Sequence, residues 1–228
     1  LYPYRVITTA FGQGIIECVP NTMSRHQLGN EYANLSEYFR KKFGHTDSIE
    51  YQKARRNFIE SMAAYSVASY ILNIKDRHNG NILVDNLGHV VHIDFGFIFD
   101  IAPGGNVSME LSPFKLNKEM LEILGENAEK KSAEPAEPFK LFEELLIRGY
   151  LACRDHAQDI INITEVMIQS ELPCFKADCI KNLKTRISFD LSERDAVAYI
   201  KGIIAKAYEN LFTVIYDTYQ KYVEKINM

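Results

Sequence analysis

Cysteine is scarce in this sequence and never closely paired: Cys18, Cys153, Cys174 and Cys179 are the only four among 228 residues, with no Cys-x-x-Cys motif. That spacing suggests neither a zinc framework nor a disulfide scaffold, so four reduced thiols and a cytosolic setting are expected. Long apolar runs are missing too. The longest uncharged stretch runs only from Ser61 to Ile74, short of the ~20 residues a membrane-spanning helix needs, and reads as a buried core helix. Nor is there an excess of positive charge: 26 Lys+Arg stand against 30 Asp+Glu, a formal charge of −4. A polyanion-binding surface made by bulk basicity is thereby excluded, and nucleic acid is not expected as a partner. The chain opens Leu1-Tyr2-Pro3-Tyr4, without a starting Met or a basic-then-apolar leader, so a fragment lacking a secretory signal is expected. What the sequence does have is ordinary globular composition, 46% hydrophobic and 25% charged, enough for one large domain or two small ones.

Periodicity divides the chain. Val6–Phe11 and Ile15–Val19 are β-rich and flank Gly12-Gln13-Gly14, which predicts a hairpin closed by Pro20; with no third glycine at the required step, the Gly pair is a turn and not a phosphate loop. Asn34 can cap a helix over Leu35–Phe43 that ends at Gly44, and a longer helix is predicted from Ser48 to about Asn73. In it Phe58, Met62, Tyr65, Ser69 and Leu72 recur at three- and four-residue steps, the mark of one buried stripe. The period then shortens: Ile82–Val84 and Val90–Ile93 are apolar strands joined through Asn86-Leu87-Gly88. Residues 95–114, with Pro103-Gly104-Gly105-Asn106, predict a long functional loop. Asn117 caps a helix ending at Gly125, 126–138 is an exposed loop, and helices follow over 139–152, 155–170, 177–187 and from Glu193 onward, the last opened by a capping-box-like Ser192/Asp195 pair.

The densest polar cluster, Lys75-Asp76-Arg77-His78-Asn79-Gly80-Asn81, lies where the long helix gives way to the second hairpin; Asp94-Phe95-Gly96 ends that hairpin. A hairpin centred near Leu87-Gly88 sets Asn81 opposite Ile93 or Asp94. One amide oxygen and one carboxylate, completed by water and phosphate oxygens, are the hard ligands Mg²⁺ carrying a nucleotide requires. Asp76, five residues before Asn81, is placed to accept a proton from an attacking hydroxyl. Arg77 can brace the loop through a carboxylate. Lys75 can either meet phosphate or sit exposed at a helix end. His89 and His92 alternate on a strand, with no partner at metal-ligand spacing.

Asp-x-x-x-x-Asn followed by Asp-Phe-Gly is a kinase pattern, except that Asp76-Arg77-His78 stands where His-Arg-Asp is usual. With this reversal, and with His92-Ile93-Asp94-Phe95-Gly96 following, the sequence resembles the phosphatidylinositol kinase superfamily. Lys75 before Asp76 and Gly80 before Asn81 look more like the 4-kinases than the 3-kinases. Tyr2–Val6, Gly14–Pro20, Asn57–Ile59 with Ser61–Ser66, Pro103–Asn106, Arg148–Ala152 and Leu172–Phe175 are similar to the type III alpha kind of 4-kinase.

The resemblance implies an α+β, mostly α fold: the C-terminal lobe of a bilobal protein-kinase-like fold, with a catalytic β-hairpin and a remnant N-lobe hairpin. Residues 1–20 would be the last N-lobe strands and the hinge, and 21–228 the C-lobe, with its catalytic loop at 75–81 and its metal and activation loop at 94–114. It implies ATP binding by Tyr4, Ile16, Glu17, Val19, Leu83, Ile93 and Lys75, with backbone groups of Glu17 and Val19 on adenine. Asp76, His78 and Arg77 would be catalytic, Asp76 as base and His78 as a stabilising cation, though which of the two takes the proton stays open. Asn81 and Asp94 would hold Mg²⁺ or Mn²⁺ with ATP.

The implied activity is transfer of the ATP γ-phosphate to the 4-hydroxyl of phosphatidylinositol, at the cytosolic face of a membrane to which the protein binds peripherally, with regulatory subunits as possible further partners. The resemblance implies that the loop after Asp94-Phe95-Gly96 faces the lipid headgroup; from Phe95 through Pro113 it has no Lys, Arg or His, so a substrate already carrying inositol phosphates is not expected. Alternatives are a 3-kinase of plain-lipid specificity, a protein kinase of the superfamily, and a non-catalytic interaction module. Because no glycine-rich phosphate loop or early-strand lysine precedes Ile16, residues 1–228 alone are not expected to turn over ATP. The final helix, with Ala196, Ile200, Ile203, Ala207, Leu211, Ile215, Tyr219, Tyr222 and Ile226 at helical steps, can pack on the lobe or dock on a membrane.

Overall fold

A computed structural model of the chain describes residues 1–103, 112–126, 134–176 and 178–209. The expectations for Gly104–Asn106, for most of the loop after Glu126 and for the last helix beyond residue 209 lie outside them.

The opening hairpin pairs β1 (Val6–Ala10) with β2 (Gln13–Ile16), Val6 facing Ile16 and Ile7 facing Ile15. The turn is shorter than the Gly-Gln-Gly spacing predicts. Gln13 already pairs with Ala10 and Gly14 with Thr8, and only Phe11-Gly12 makes the corner, Gly12 at φ +70°. Cys18 and Val19 lie beyond the strand, on the way into the helical body.

Pro20 is followed by a third strand that the pattern of the sequence did not disclose, β3 (Thr22–Ser24), too short to show alternation. It pairs antiparallel with β4 (Ile82–Asp85), and β4 pairs with β5 (Val90–His92), in the order β3-β4-β5. Ser24 ends β3 and caps α1 (Arg25–Leu28) in a reciprocal box with Gln27. Arg25, 1% exposed, forks onto Glu119 of α4 (Lys118–Ile123) at 2.6 and 2.7 Å, fastening the start of the lobe to a helix 94 residues on.

The predicted caps hold. Asn34 accepts from the Glu37 amide at the start of α2 (Leu35–Phe43), Gly44 ends it, and Ser48 accepts from Tyr51 to open α3 (Ile49–Leu72). Asn73 closes α3 in the left-handed region, which Asn tolerates. The single stripe expected on α3 is a correction. Phe58, Met62, Tyr65 and Ser69 are buried, but so are Ala54, Ile59, Ala63, Val67, Tyr70 and Ile71, because α2, β5, α5 (Glu137–Asp155) and α7 (Cys179–Ile187) surround the helix. It is the axis of the core. Between α5 and α7 runs α6 (Ala157–Ile168), and α8 (Glu193–Glu209) packs on α5, its Ser192 accepting from the Asp195 amide. The expected exposed loop at 126–138 is also corrected at both ends. Glu126 is buried and accepts from the Ala136 amide at 2.6 Å, and Pro138 lies within the first turn of α5.

Candidate active site

The site begins where α3 stops. Past the left-handed Asn73, the Lys75 amide donates to the Phe97 carbonyl at 2.8 Å, which ties the Lys75–Asn81 loop to the segment after Asp94-Phe95-Gly96. Asp76 follows at φ +64° and Asp94, across the site, at φ +59°. Two carboxylates in the left-handed region cost roughly 1 kcal/mol each, and neighbours must hold them there. Arg77 is one of these neighbours. It is wholly buried, donates from Nε to the Lys75 carbonyl at 2.9 Å and from Nη1 to the Ile93 carbonyl at 2.8 Å, and reaches the Asp94 carbonyl through Nη2. These three bonds all go to main-chain oxygens. Its guanidinium also lies 5.7 Å from the centre of the Phe95 ring.

His78 caps the short 3₁₀ turn Asn79–Asn81 that leads into β4. Its Nδ1 accepts from the Gly80 amide at 3.0 Å, so the proton of the neutral ring sits on Nε2, 4.0 Å from the Asp76 carboxylate. With Nδ1 engaged, His78 offers a donor and no free lone pair.

Asn81 is buried, and its Nδ2 donates to the Asp76 carbonyl at 2.9 Å. That bond fixes the amide so that Oδ1 is the atom left for a cation. The ladder pairs Ile82 with His92 and continues as a bond from the Ile93 amide to the Asn81 carbonyl at 3.1 Å. Asn81 therefore faces Ile93, with the exposed Asp94 one residue further. One amide oxygen and one carboxylate fit a hard divalent ion that shares its remaining positions with water and phosphate oxygens.

Beside these groups lies a cleft of about 700 Å³ lined by Tyr4, Val6, Ile16, Glu17, Cys18, Val19, Leu83, Ile93, Asp94 and Phe95. Six of the seven residues predicted to bind ATP line it. Lys75 does not: it is 8% exposed, neither a surface lysine nor in the cleft, and its Nζ donates to the Ser112 carbonyl at 3.0 Å. Tyr4 accepts through its hydroxyl from the Asp94 amide at 3.2 Å and stacks on Phe95, so the opening segment and the Asp94-Phe95-Gly96 segment meet at one wall. The Glu17 amide donates to Arg5 and the Val19 carbonyl accepts from Thr22. The Glu17 carbonyl and the Val19 amide have no partner among the described residues. Val6, Cys18 and Phe95 are lining residues the sequence reading missed. Val6 was discoverable, since alternation along β1 puts it on the side of Tyr4; nothing local marks Cys18.

His92 is buried with both ring nitrogens unpartnered among the described residues, stacked on Tyr65 at 4.5 Å. Burial, reinforced by the charge of Arg77, pushes its pKa down to about 3, so the ring is a neutral spacer. Tyr65 in turn accepts from the Tyr2 amide at 3.0 Å, and burial raises its pKa.

The profile of the family described as phosphatidylinositol 3- and 4-kinase matches residues 1–177. The chain is 49% identical over 223 residues to phosphatidylinositol 4-kinase stt4 of Schizosaccharomyces pombe, covering 97% of this chain and 12% of that protein. It is 49% identical over 224 residues to phosphatidylinositol 4-kinase STT4 of Saccharomyces cerevisiae, covering 97% and 11%. A human relative, putative phosphatidylinositol 4-kinase alpha-like protein P2, is 40% identical over 230 residues, with 99% of this chain and 38% of that protein covered. The chain thus spans about an eighth of the length of the first two relatives.

Proposed function

Because the chain belongs to the phosphatidylinositol 3- and 4-kinase family, we propose that it forms the catalytic-loop half of a lipid kinase that moves the ATP γ-phosphate to the 4-hydroxyl of phosphatidylinositol. The observation that carries this is the pairing across β4 and β5. It sets Asn81 opposite Ile93, one residue from Asp94, while the Asn81 amide bonds the Asp76 main chain and Asp94 lines a cleft that Glu17 and Val19 also line.

In this reading adenine sits in the cleft against Tyr4, Ile16, Leu83 and Ile93, paired with the Glu17 carbonyl and the Val19 amide. A divalent ion, Mg²⁺ or Mn²⁺, would be held by Asn81 and Asp94 and would neutralise phosphate charge when bound. Asp76 accepts the proton of the inositol hydroxyl. His78, whose Nδ1 is taken by Gly80, donates from Nε2 to the phosphate as charge develops there. Arg77 holds the main chain on which these groups stand. The protein works peripherally at the cytosolic face of a membrane, and among the described residues no helix is long and apolar enough to cross one. A plain lipid is favoured because no basic side chain stands between Phe95 and Pro113 to pair with an inositol phosphate.

The test is an assay of the full-length protein with ATP, Mg²⁺ and phosphatidylinositol vesicles, with the phosphate position mapped on the product, beside Asp94→Ala. Phosphatidylinositol 4-phosphate formation lost in the variant supports the reading. A 3-phosphate product would select the 3-kinase alternative, and activity surviving Asp94→Ala would remove the metal assignment.

A further inference from the structure

The segment leaving the site after Asp94-Phe95-Gly96 is anchored from a side that catalysis does not explain. Phe97 and Phe99 are tied to the end of α3 and the loop after it: the Lys75 amide bonds the Phe97 carbonyl, the Phe99 amide bonds the Leu72 carbonyl at 2.8 Å, and Asn73 Nδ2 bonds the Phe99 carbonyl. Phe99 is 5% exposed and held at φ +54°, an uncomfortable conformation for an aromatic residue, so the surroundings must impose it. The next residue, Asp100, is held from α7 and the loop before it. Asn182 of α7 donates from Nδ2 to its Oδ1 at 2.8 Å, Lys176 reaches its carbonyl at 3.4 Å, and Phe175 packs on Phe99 with ring centres 5.3 Å apart.

Asp100 Oδ2 and Arg186 Nη2 are both buried and have no partner among the described residues. Arg186, one turn after Asn182 on α7, donates from Nε to the Ile71 carbonyl at 2.8 Å, which fixes it at the end of α3, next to the Leu72 carbonyl that holds the Phe99 amide. Burial draws the Arg186 pKa down, and the Asp100 charge draws it back up. A buried carboxylate is costly unless donors and a cation face it, and α7 supplies both.

We propose that Asp100, held by Asn182 and faced by Arg186, is a positioning residue: it fixes the direction in which the substrate-facing segment leaves the site, and so sets how the lipid acceptor is presented without touching it. This rests on the lipid-kinase reading for the identity of the acceptor, but the anchoring itself does not depend on it.

The test uses the full-length protein and three variants, Asn182→Asp, Asp100→Asn and the double exchange of both. Asn182→Asp sets two carboxylates against each other, and Asp100→Asn leaves Arg186 without its counter-charge. The double variant restores one amide and one carboxylate with their places reversed. Each single change is expected to raise the KM for phosphatidylinositol about tenfold and leave the Kd for ATP within error, with the double variant recovering most of the loss. Hydrogen exchange read on the Phe97–Ile101 amides should quicken about tenfold in Asn182→Asp and return in the double variant. An unchanged exchange rate in Asn182→Asp overturns the proposal, and so does an equal loss of ATP affinity and lipid KM. A wild-type protein that does not phosphorylate phosphatidylinositol would sink the functional reading alone, since the exchange measurement decides the anchor by itself.

Discussion

Arg77 donates to the main-chain carbonyl of Asp94, the residue proposed above as a metal ligand. The same guanidinium holds the carbonyls of Ile93 and Lys75, so one buried cation joins both loops of the site. Only a planar fork can serve three oxygens set in different directions; an ammonium on a flexible stem reaches one or two. Arg77→Lys keeps the charge and breaks the brace. Its expected effect is a fall in kcat of at least about 30-fold and a loss of about 2–4 kcal/mol of stability, because buried carbonyls are left without donors. Steady-state kinetics and urea unfolding of the full-length protein check both. Wild-type kcat in the Lys variant would show that charge alone suffices.

Asn81 tests the same arrangement from the other arm of the hairpin. Asn81→Asp removes the donor to the Asp76 carbonyl and adds a carboxylate close to Asp76 and Asp94. The substituted residue still offers an oxygen to a cation, so a pure ligand role predicts little change. The orienting role predicts a fall in kcat of at least about 100-fold with the Kd for ATP moved less than about threefold. Single-turnover rates and nucleotide binding measured together separate the two.

Much of this site was legible in the sequence because its parts are local. The Asn86-Leu87-Gly88 turn and two short apolar runs fix a register, and register alone brings Asn81 next to Asp94: the expectation of Ile93 or Asp94 resolved to Ile93. Helix caps at Asn34, Ser48 and Asn117 were legible for the same reason, since each is a bond between residues three apart. What stayed hidden is long-range. The Arg25–Glu119 fork spans 94 residues and leaves no periodic trace. β3 has three residues, fewer than alternation needs. Lys75 reads as a polar site residue, and only the fold shows it folded inward onto Ser112. The breadth of burial around α3 depends on how many partners surround it, which no pattern within the helix records.

Gly88 shows a glycine serving two needs at once. Its φ of +91° suits the turn, but an added Cβ would also lie 2.7 Å from the Ala54 carbonyl oxygen of α3, the close approach by which the catalytic hairpin docks on the central helix. Gly88→Ala therefore meets backbone strain of about 1 kcal/mol and a steric clash of about 1–3 kcal/mol. The expected total of roughly 2–4 kcal/mol should appear as a lower urea midpoint with an unchanged slope. Since the clash is with backbone, pairing it with Ala54→Gly should restore little; near-complete rescue would mean the side chain, not the carbonyl, is the obstacle.

His92 gives the fold an acid limit. Its folded-state pKa, about 3, lies below the ordinary value of 6.5, so between those values the unfolded chain binds a proton that the folded chain refuses. The stability that the neutral ring contributes is fully present above 6.5 and is lost as pH falls toward 3, at up to about 1.4 kcal/mol per unit. From neutrality to about pH 5 this one residue should cost about 2 kcal/mol. His92→Phe keeps an aromatic ring against Tyr65 and has nothing to titrate. Whatever its effect at neutral pH, the gap between the variant's unfolding free energy and that of the unsubstituted protein should move about 2 kcal/mol in the variant's favour at about pH 5, since every other group titrates alike in both. Urea unfolding at the two pH values measures that difference directly. Parallel pH dependences would mean that the imidazole gains its proton without disturbing the fold, and that its neutrality does not support the wall behind Asp94.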